Sequence, residues 1–185
     1  MHNFTTDQVI SSDIELKEHE YSYRNMSITL SNITDSYIYR LANMDYETIV
    51  IKDSAFHHIH LFELSCIQFI IYNCHISYMP QLPFADVIYC PGNGITRLRD
   101  CDSCEVLYCP GNQLTQLPDL KHCSELDCSF NQINHIPDLP NCKKFIANNN
   151  LLTQLPQLPI AKKIYCHNNP ITKWNIPLTC IRLKV

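Results

Sequence analysis

The eleven cysteines are the residues of this sequence with the greatest capacity for chemistry, because thiols form disulfides, bind zinc and act as nucleophiles. Their spacing argues against all three uses. Only Cys101 and Cys104 form a C-x-x-C pair, whereas a zinc site needs several ligands clustered at short spacings. Other cysteines recur at steps of 19 residues, as Cys90, Cys109 and Cys128 do.

Every cysteine occupies a position of this repeat that points inward, so we predict free structural thiols that pack as small buried hydrophobes. A redox pair at Cys101 and Cys104 and a metal site are the alternatives. Unpaired buried thiols indicate a reducing compartment, and we therefore expect a cytoplasmic location, in a host cell if the protein is an effector. The sequence predicts no metal and no cofactor.

The segment His57-His58-Ile59-His60 is the only histidine cluster. No carboxylate or thiol stands at ligand spacing around it, so we interpret it as a solvated turn. The three glycines lie in predicted turns and form no phosphate-binding loop, and there is no G-x-S-x-G motif. We therefore predict a protein that is not an enzyme, with no catalytic residues.

A repeat of 19 residues determines where the secondary-structure elements that carry these side chains lie in the sequence. Asparagine recurs on one register, with an aliphatic residue two positions later and an apolar residue five positions earlier. The asparagines are Asn93, Asn112, Asn131, Asn150 and Asn169. Such self-similarity indicates a solenoid. Because an amide both donates and accepts hydrogen bonds, we predict a structural asparagine ladder that satisfies backbone groups of neighbouring turns.

From Cys66 to Val185 the chain resembles a leucine-rich repeat array, whose consensus is L-x-x-L-x-L-x-x-N/C-x-L. The proline-containing tails at 117–120, 136–140 and 155–159 resemble the short subclass found in secreted bacterial effectors. The resemblance implies an α/β-type horseshoe and a binding scaffold rather than a catalyst.

Each regular coil begins with a strand triplet such as Leu107-Tyr108-Cys109, whose first and third residues enter the core while the middle one faces solvent. Stacked triplets predict a parallel sheet. The return half of the coil carries prolines such as Pro118 and Pro137, which favour extended or polyproline-like chain on the convex side and little helix.

We predict one continuous domain with three parts. Residues 1–25 form an N-terminal cap or tail, with a short helix beginning at Ser12 or Asp13. Residues 26–65 form irregular repeats, and residues 66–185 form the regular 19-residue repeats.

The outward strand positions form the surface on which repeat proteins generally bind partners. We predict that the partner contacts Tyr72, Tyr89, Tyr108, Asp127, Ile146, Tyr165 and His167. Tyrosine is favoured at interfaces because it supplies rigid area with a polar tip, although it is also simply a good strand residue. Ser129 is expected to face outward in the same way as His167.

The net charge of −4 argues against a nucleic-acid partner, and no stretch approaches the roughly 18 apolar residues of a membrane span. The N-terminal residues do not form a secretory signal, and we expect no membrane association. The charge is uneven, because residues 1–63 hold ten acids and four bases whereas the C-terminal end is basic.

Together these features predict a non-catalytic protein–protein interaction module that binds a protein or peptide partner on its strands. One alternative is the substrate-recognition subunit of a ubiquitin-ligase-type assembly. The other is a self-assembling structural protein that forms homo-oligomers through the strand edge at Leu183–Val185.

Overall fold

Ten short β-strands follow one another in this computed structural model, which describes residues 8–10, 27–34, 38, 41, 45–56, 59–61, 63–99 and 101–185. The strands are β1 (Gln8–Ile10), β2 (Ser27–Ser31), β3 (Asp45–Lys52), β4 (Ser65–Tyr72), β5 (Val87–Tyr89), β6 (Val106–Tyr108), β7 (Glu125–Asp127), β8 (Lys144–Ile146), β9 (Lys163–Tyr165) and β10 (Arg182–Lys184). Helix is almost absent from the described residues, where the main helical element is a 3-10 turn at Ile59–Leu61.

All ten strands belong to one sheet, in which each strand lies parallel to the next one along the chain. In the regular coils the register advances by one repeat per strand, so that Leu107 pairs with Leu126. The earlier coils are longer, since Ile28 pairs with Ile49 and Ile49 with Phe69. The predicted repeat solenoid with a parallel sheet is therefore confirmed.

Columns of inward-facing side chains fill the space behind the sheet. The observed short strands begin one residue earlier than the predicted triplets, so the first inward residue lies at the strand centre and the second just beyond its end. The first column contains Ile88, Leu107, Leu126, Phe145 and Ile164, and the second contains Cys90, Cys109, Cys128, Ala147 and Cys166. Full burial of one large aliphatic side chain contributes about 1.5–3 kcal/mol. Because each coil buries its apolar side chains against its neighbours, stacking supplies the stability that one coil lacks.

The return half of each coil has isolated parallel bridges instead of helix, as between Gln116 and His135. Pro118 is half-buried there, and its ring cannot donate a backbone hydrogen bond. A tight turn follows, in which the Cys123 N–H donates to the Leu120 carbonyl at 3.1 Å. This turn leads the chain into the next strand.

A residue with left-handed backbone precedes the asparagine position in each of these coils, with φ between 50° and 69°. These residues are Asn32, Asp53, Asn73, Gly92, Gly111, Phe130, Asn149 and Asn168. Glycine takes this conformation without steric cost, and Asn and Asp tolerate it better than other residues do. Phe130 is the exception in the series.

The N-terminal part extends the same architecture. Val9 of β1 pairs with Thr29 of β2, inside the segment predicted to be a cap or tail. Ile28, Leu30 and Ile33 of the irregular repeats are buried in the common core. The helix predicted at Ser12 or Asp13 lies outside the described residues, as do His57 and His58. No helix in the described part of the chain is long and apolar enough to cross a membrane.

Candidate functional site

The outward side chains of β4–β10, here called the strand face, form one continuous surface. Its central column contains Ile70, Tyr89, Tyr108, Asp127, Ile146, Tyr165 and Lys184, which are register partners on successive strands. Five of the predicted partner-binding residues lie in this column. The other two, Tyr72 and His167, lie two residues further along the chain and are half-buried. The structure therefore brings all seven onto one surface.

Tyr89 and Tyr108 stack face to face at the centre of this column. Their ring centroids are 4.5 Å apart, and the ring planes differ by only 3°. Tyr89 is 37% exposed, and Tyr108 is half-buried between its neighbours. Partial desolvation, and then the nearby carboxylate of Asp127, raises the pKa of the Tyr108 phenol. The pair presents a rigid aromatic platform on the strand face.

An abrupt change of charge follows the aromatic platform. Glu125 on β7 and Lys144 on β8 form an ion pair in which Nζ and Oε2 are 3.1 Å apart. In the central column Asp127 Oδ1 accepts a hydrogen bond from the Ser129 N–H at 3.0 Å, so this carboxylate also orders the turn after β7. The acidic strand β7 therefore separates the aromatic platform from basic strands.

Tyr165 is surrounded by cationic groups from the next strand. The Arg182 Nη1 group donates to the Tyr165 hydroxyl at 3.4 Å, and Lys184 Nζ lies 5.7 Å from the ring centroid. Both distances suit weak polar and cation–π attraction. The two ends of the strand face thus differ: a stacked tyrosine pair beside the carboxylate of Asp127 at one end, and a tyrosine next to Arg182 and Lys184 at the other.

The burial of Ser129 contradicts one expectation. It was predicted to face outward, but it is only 4% exposed, and its hydroxyl is the one buried side-chain polar atom without a hydrogen-bond partner among the described residues. The equivalent residues Pro110 and Asn148 on adjacent coils are half-buried. Alternation of side chains along a strand does not determine exposure here, because Ser129 lies in the turn beyond β7.

Phe130 is a candidate site residue that the sequence interpretation missed. It is 62% exposed and has φ of 56°, a conformation that costs a residue with a Cβ roughly 1–2 kcal/mol. Gly111 and Asn149 take this position on the adjacent coils. The available signal was an exposed aromatic in the register of Gly and Asn. An exposed and strained aromatic next to the strand face is typical of a contact residue.

We expect Phe130→Asn to increase the free energy of unfolding by about 1 kcal/mol, since Asn tolerates left-handed backbone. If Phe130 contacts the partner, the same change weakens partner binding. Phe84→Asn is the matched control, because Phe84 is also 62% exposed but has no positive φ. Urea unfolding and a binding titration measure the two effects. Equal stability of Phe130→Asn and the native chain would contradict the strain.

The asparagine ladder lies behind the turn that follows each strand. Asn131 Oδ1 accepts a hydrogen bond from the Leu114 N–H at 3.0 Å, and its Nδ2 donates to the carbonyls of Cys109 and Cys128, each at 3.0 Å. One amide therefore joins two adjacent coils. Equivalent bonds to the preceding coil are made by Asn93, Asn112, Asn150 and Asn169.

None of the eleven cysteines forms a disulfide; ten are buried, and Cys180 is partly buried. Several thiols donate to carbonyls, as Cys123 does to the Glu125 carbonyl at 3.2 Å. Burial raises the pKa of the Cys123 thiol to about 11 and that of Cys142 to about 12. At neutral pH these groups are protonated, and a protonated thiol is a poor nucleophile and a poor metal ligand.

A groove of about 880 Å³ lies on the return side of the coils, between Tyr78, Arg97 and Gln116. Arg99 on its wall donates to the Gln81 side-chain oxygen at 2.8 Å, and the Gln81 amide donates to Glu63 at 3.2 Å. None of the groove's lining residues belongs to the strand face. The groove is therefore separate from the tyrosine column.

Among the described residues, no three His, Cys, Asp or Glu side chains form a group that could hold a metal ion. Comparison with known proteins gives no relative: no protein-family model matches the chain, and no curated protein matches it. The structure shows a parallel β-solenoid with almost no helix. Arguments about function therefore rest on the strand face itself.

Proposed function

We propose that this protein is a non-catalytic interaction module that binds a protein or peptide partner across its strand face. The observation that carries the proposal is the stacked pair of Tyr89 and Tyr108 on an open sheet surface. Tyrosine is enriched at interfaces because a rigid ring buries a large area with little loss of entropy, while its hydroxyl remains able to form hydrogen bonds.

The neighbours of the tyrosine pair support the same proposal. Ile146 and Tyr165 continue the column, and Phe130 adds a strained exposed ring beside it. Interface hot spots are typically aromatic residues surrounded by polar groups, and here Asp127 and Lys144 supply the polar surroundings. The open sheet face, with one residue of each strand in register, suits a partner segment that lies across the strands.

We also propose that the protein has no catalytic activity, and the burial of its thiols supports this. Ten of the eleven are buried, which removes the most reactive side-chain type from solvent. Eleven thiols without a disulfide also suit a reducing compartment, and we propose a cytoplasmic location, of a host cell if the protein is an effector.

We further propose that the solenoid belongs to the leucine-rich repeat class, with a horseshoe shape and a polyproline-like convex side. The hydrogen bonds of Asn131 to the preceding coil, and the prolines of the return half, support this assignment. The short coils leave no room for a long helix between strands. A crystal structure with α-helices on the return side would contradict it.

The test of the proposed function is the double variant Tyr89→Ala and Tyr108→Ala. A partner is first obtained by affinity capture with the native chain and then purified, so that its dissociation constant can be measured by calorimetry. We expect the double variant to bind the purified partner at least about tenfold more weakly, a loss of about 1.4 kcal/mol or more.

The matched control is Tyr78→Ala with Phe84→Ala, which removes two exposed aromatic rings from outside the strand face. Circular dichroism and the urea midpoint establish that both variants fold. Native affinity in the folded Tyr89 and Tyr108 variant would refute the site. Loss of affinity in the control alone would indicate that the partner binds on the return side of the coils.

A further inference from the structure

The strand face divides into an acidic part and a basic part at the boundary between β7 and β8. Glu125 pairs in register with Lys144, which pairs with Lys163, which in turn pairs with Arg182. Just before the strands, Asp86 and Glu105 are exposed on the acidic side, and Lys143 and Lys162 are exposed on the basic side. Formal charge therefore changes sign across one strand spacing, about 4.8 Å.

The basic part contains no acidic side chain that could neutralise its positive charges. Residues 139–185 are all described and contain no Asp or Glu, whereas they contain Lys143, Lys144, Lys162, Lys163, Lys173, Arg182 and Lys184. In the column from Lys144 to Arg182, Lys144 is the one residue with a carboxylate partner within the described part of the chain, and that partner is Glu125. Like charges directly opposite each other on adjacent strands are destabilising. A ligand that brings carboxylates to Lys163 and Arg182 would relieve this repulsion.

The size of the basic part limits the kind of anion that can bind there. Strands β8–β10 span two strand spacings, about 10 Å, which corresponds to about three residues of extended peptide. A longer uniform polyanion, such as nucleic acid, would continue over β7 and meet the carboxylates of Glu125 and Asp127. Like-charge juxtaposition of this kind suppresses wrong partners. A short acidic segment next to apolar residues matches the surface better.

We propose that the partner segment is acidic where it crosses β8–β10 and apolar or aromatic where it meets Tyr89 and Tyr108. This inference rests on the proposed function and adds the chemistry and the orientation of the partner. The acidic residues contact Lys163, Arg182 and Lys184, whose side chains are exposed on the strand face. The segment reaches from β5 to β10, five strand spacings or about 24 Å, which an extended peptide of about seven residues covers.

The test uses a rhodamine-labelled hexaglutamate peptide as the probe, with hexalysine and a single-stranded thymidine oligonucleotide as comparison probes. Fluorescence anisotropy is measured at low salt and at about 0.15 M salt, because screening weakens contacts between exposed charges. The test variant is Lys163→Glu with Arg182→Glu. It should fold, because a carboxylate at position 163 stands opposite Lys144, and circular dichroism checks this.

The control variant is Lys121→Glu with Lys173→Glu, which changes the net charge equally at exposed positions outside the strand face. We expect the native chain to bind hexaglutamate more tightly than the other probes. The Lys163 and Arg182 variant should lose at least about tenfold in affinity, and the control less than about threefold. Equal losses in both variants, no binding of hexaglutamate, or tighter binding of the oligonucleotide would each overturn the inference.

The result is separable from the test of the proposed function. The Tyr89→Ala and Tyr108→Ala variant should retain hexaglutamate binding, since its basic strands are intact. If that variant loses the purified partner while Lys163→Glu with Arg182→Glu keeps it, the interaction module stands and the acidic partner segment is refuted.

Discussion

Raising the pH from 8 to 10 is expected to destabilise this protein strongly, even with a reductant present to keep every thiol reduced. Burial raises the pKa of the core thiols well above their ordinary value of 9.0. The pKa of Cys123 is about 11, and those of Cys66 and Cys142 are about 12. Burial also raises the pKa of Cys90, Cys104, Cys109 and Cys128.

The direction follows from the charge of the two forms. A thiol is charged only when it is deprotonated, so the folded chain holds its proton more tightly than the unfolded chain does. This stabilisation is complete below pH 9, and it is lost as the pH rises from 9 towards the folded-state pKa values. Each thiol contributes a loss of about 1.4 kcal/mol per pH unit in that window.

These seven thiols all shift the balance in the same direction, so the loss at pH 10 is on the order of several kcal/mol, a large fraction of the stability of an ordinary domain. Urea unfolding followed by circular dichroism at a series of pH values measures it. Cys109→Ala with Cys128→Ala should make the pH dependence of the unfolding free energy shallower, because it removes two of these thiols. Alanine is acceptable there, since Ala147 fills the same column. An unfolding free energy that stays constant between pH 8 and 10 would contradict the linkage.

Asn131→Ala is expected to lower the free energy of unfolding by about 3 kcal/mol, more than a hundredfold in the unfolding equilibrium. The substitution leaves the Leu114 N–H and the Cys109 carbonyl without the amide that joins them across two coils. Asn131 is only 9% exposed, so water does not readily replace these bonds. Each buried polar group left without a partner costs about 1–3 kcal/mol.

The matched control for this substitution is Asn134→Ala, which removes the same amide from an exposed position three residues later. A surface change of that kind stays within about 0.5 kcal/mol. Chemical denaturation of both variants at neutral pH gives the comparison. Equal losses at the two positions would show that the amide, and not its place between coils, determines the effect.

Much of the architecture follows from the sequence because a repeat imposes its own register. Once Asn112 and Asn131 are aligned, the alternating buried positions, such as Leu107 and Cys109, and the order of the strands are determined. The inward direction of the thiols follows from the same alignment. The strand positions of the irregular coils follow less directly from the sequence, because the steps from Ile28 to Ile49 and from Ile49 to Phe69 differ from the later period.

The surface could be predicted only as a set of residues. Alternation along β7 correctly gave Asp127 an outward position, but it misplaced Ser129, whose burial depends on the turn packed around it. Within its own repeat nothing distinguishes Phe130 from a core aromatic, and only its register with Gly111 and Asn149 does. Its exposure and its strained backbone arise because the turn places it in the column of Gly111 and Asn149.

The sequence alone therefore determined the period, the parallel strands and the side chains that stack behind them, since translation by one coil repeats every core contact. Tertiary structure decided which outward groups meet. It stacked Tyr89 on Tyr108, paired Glu125 with Lys144 and left Lys163 without a carboxylate partner among the described residues. These pairings depend on rotamers and on neighbours 19 residues away, and that information is absent from any single repeat.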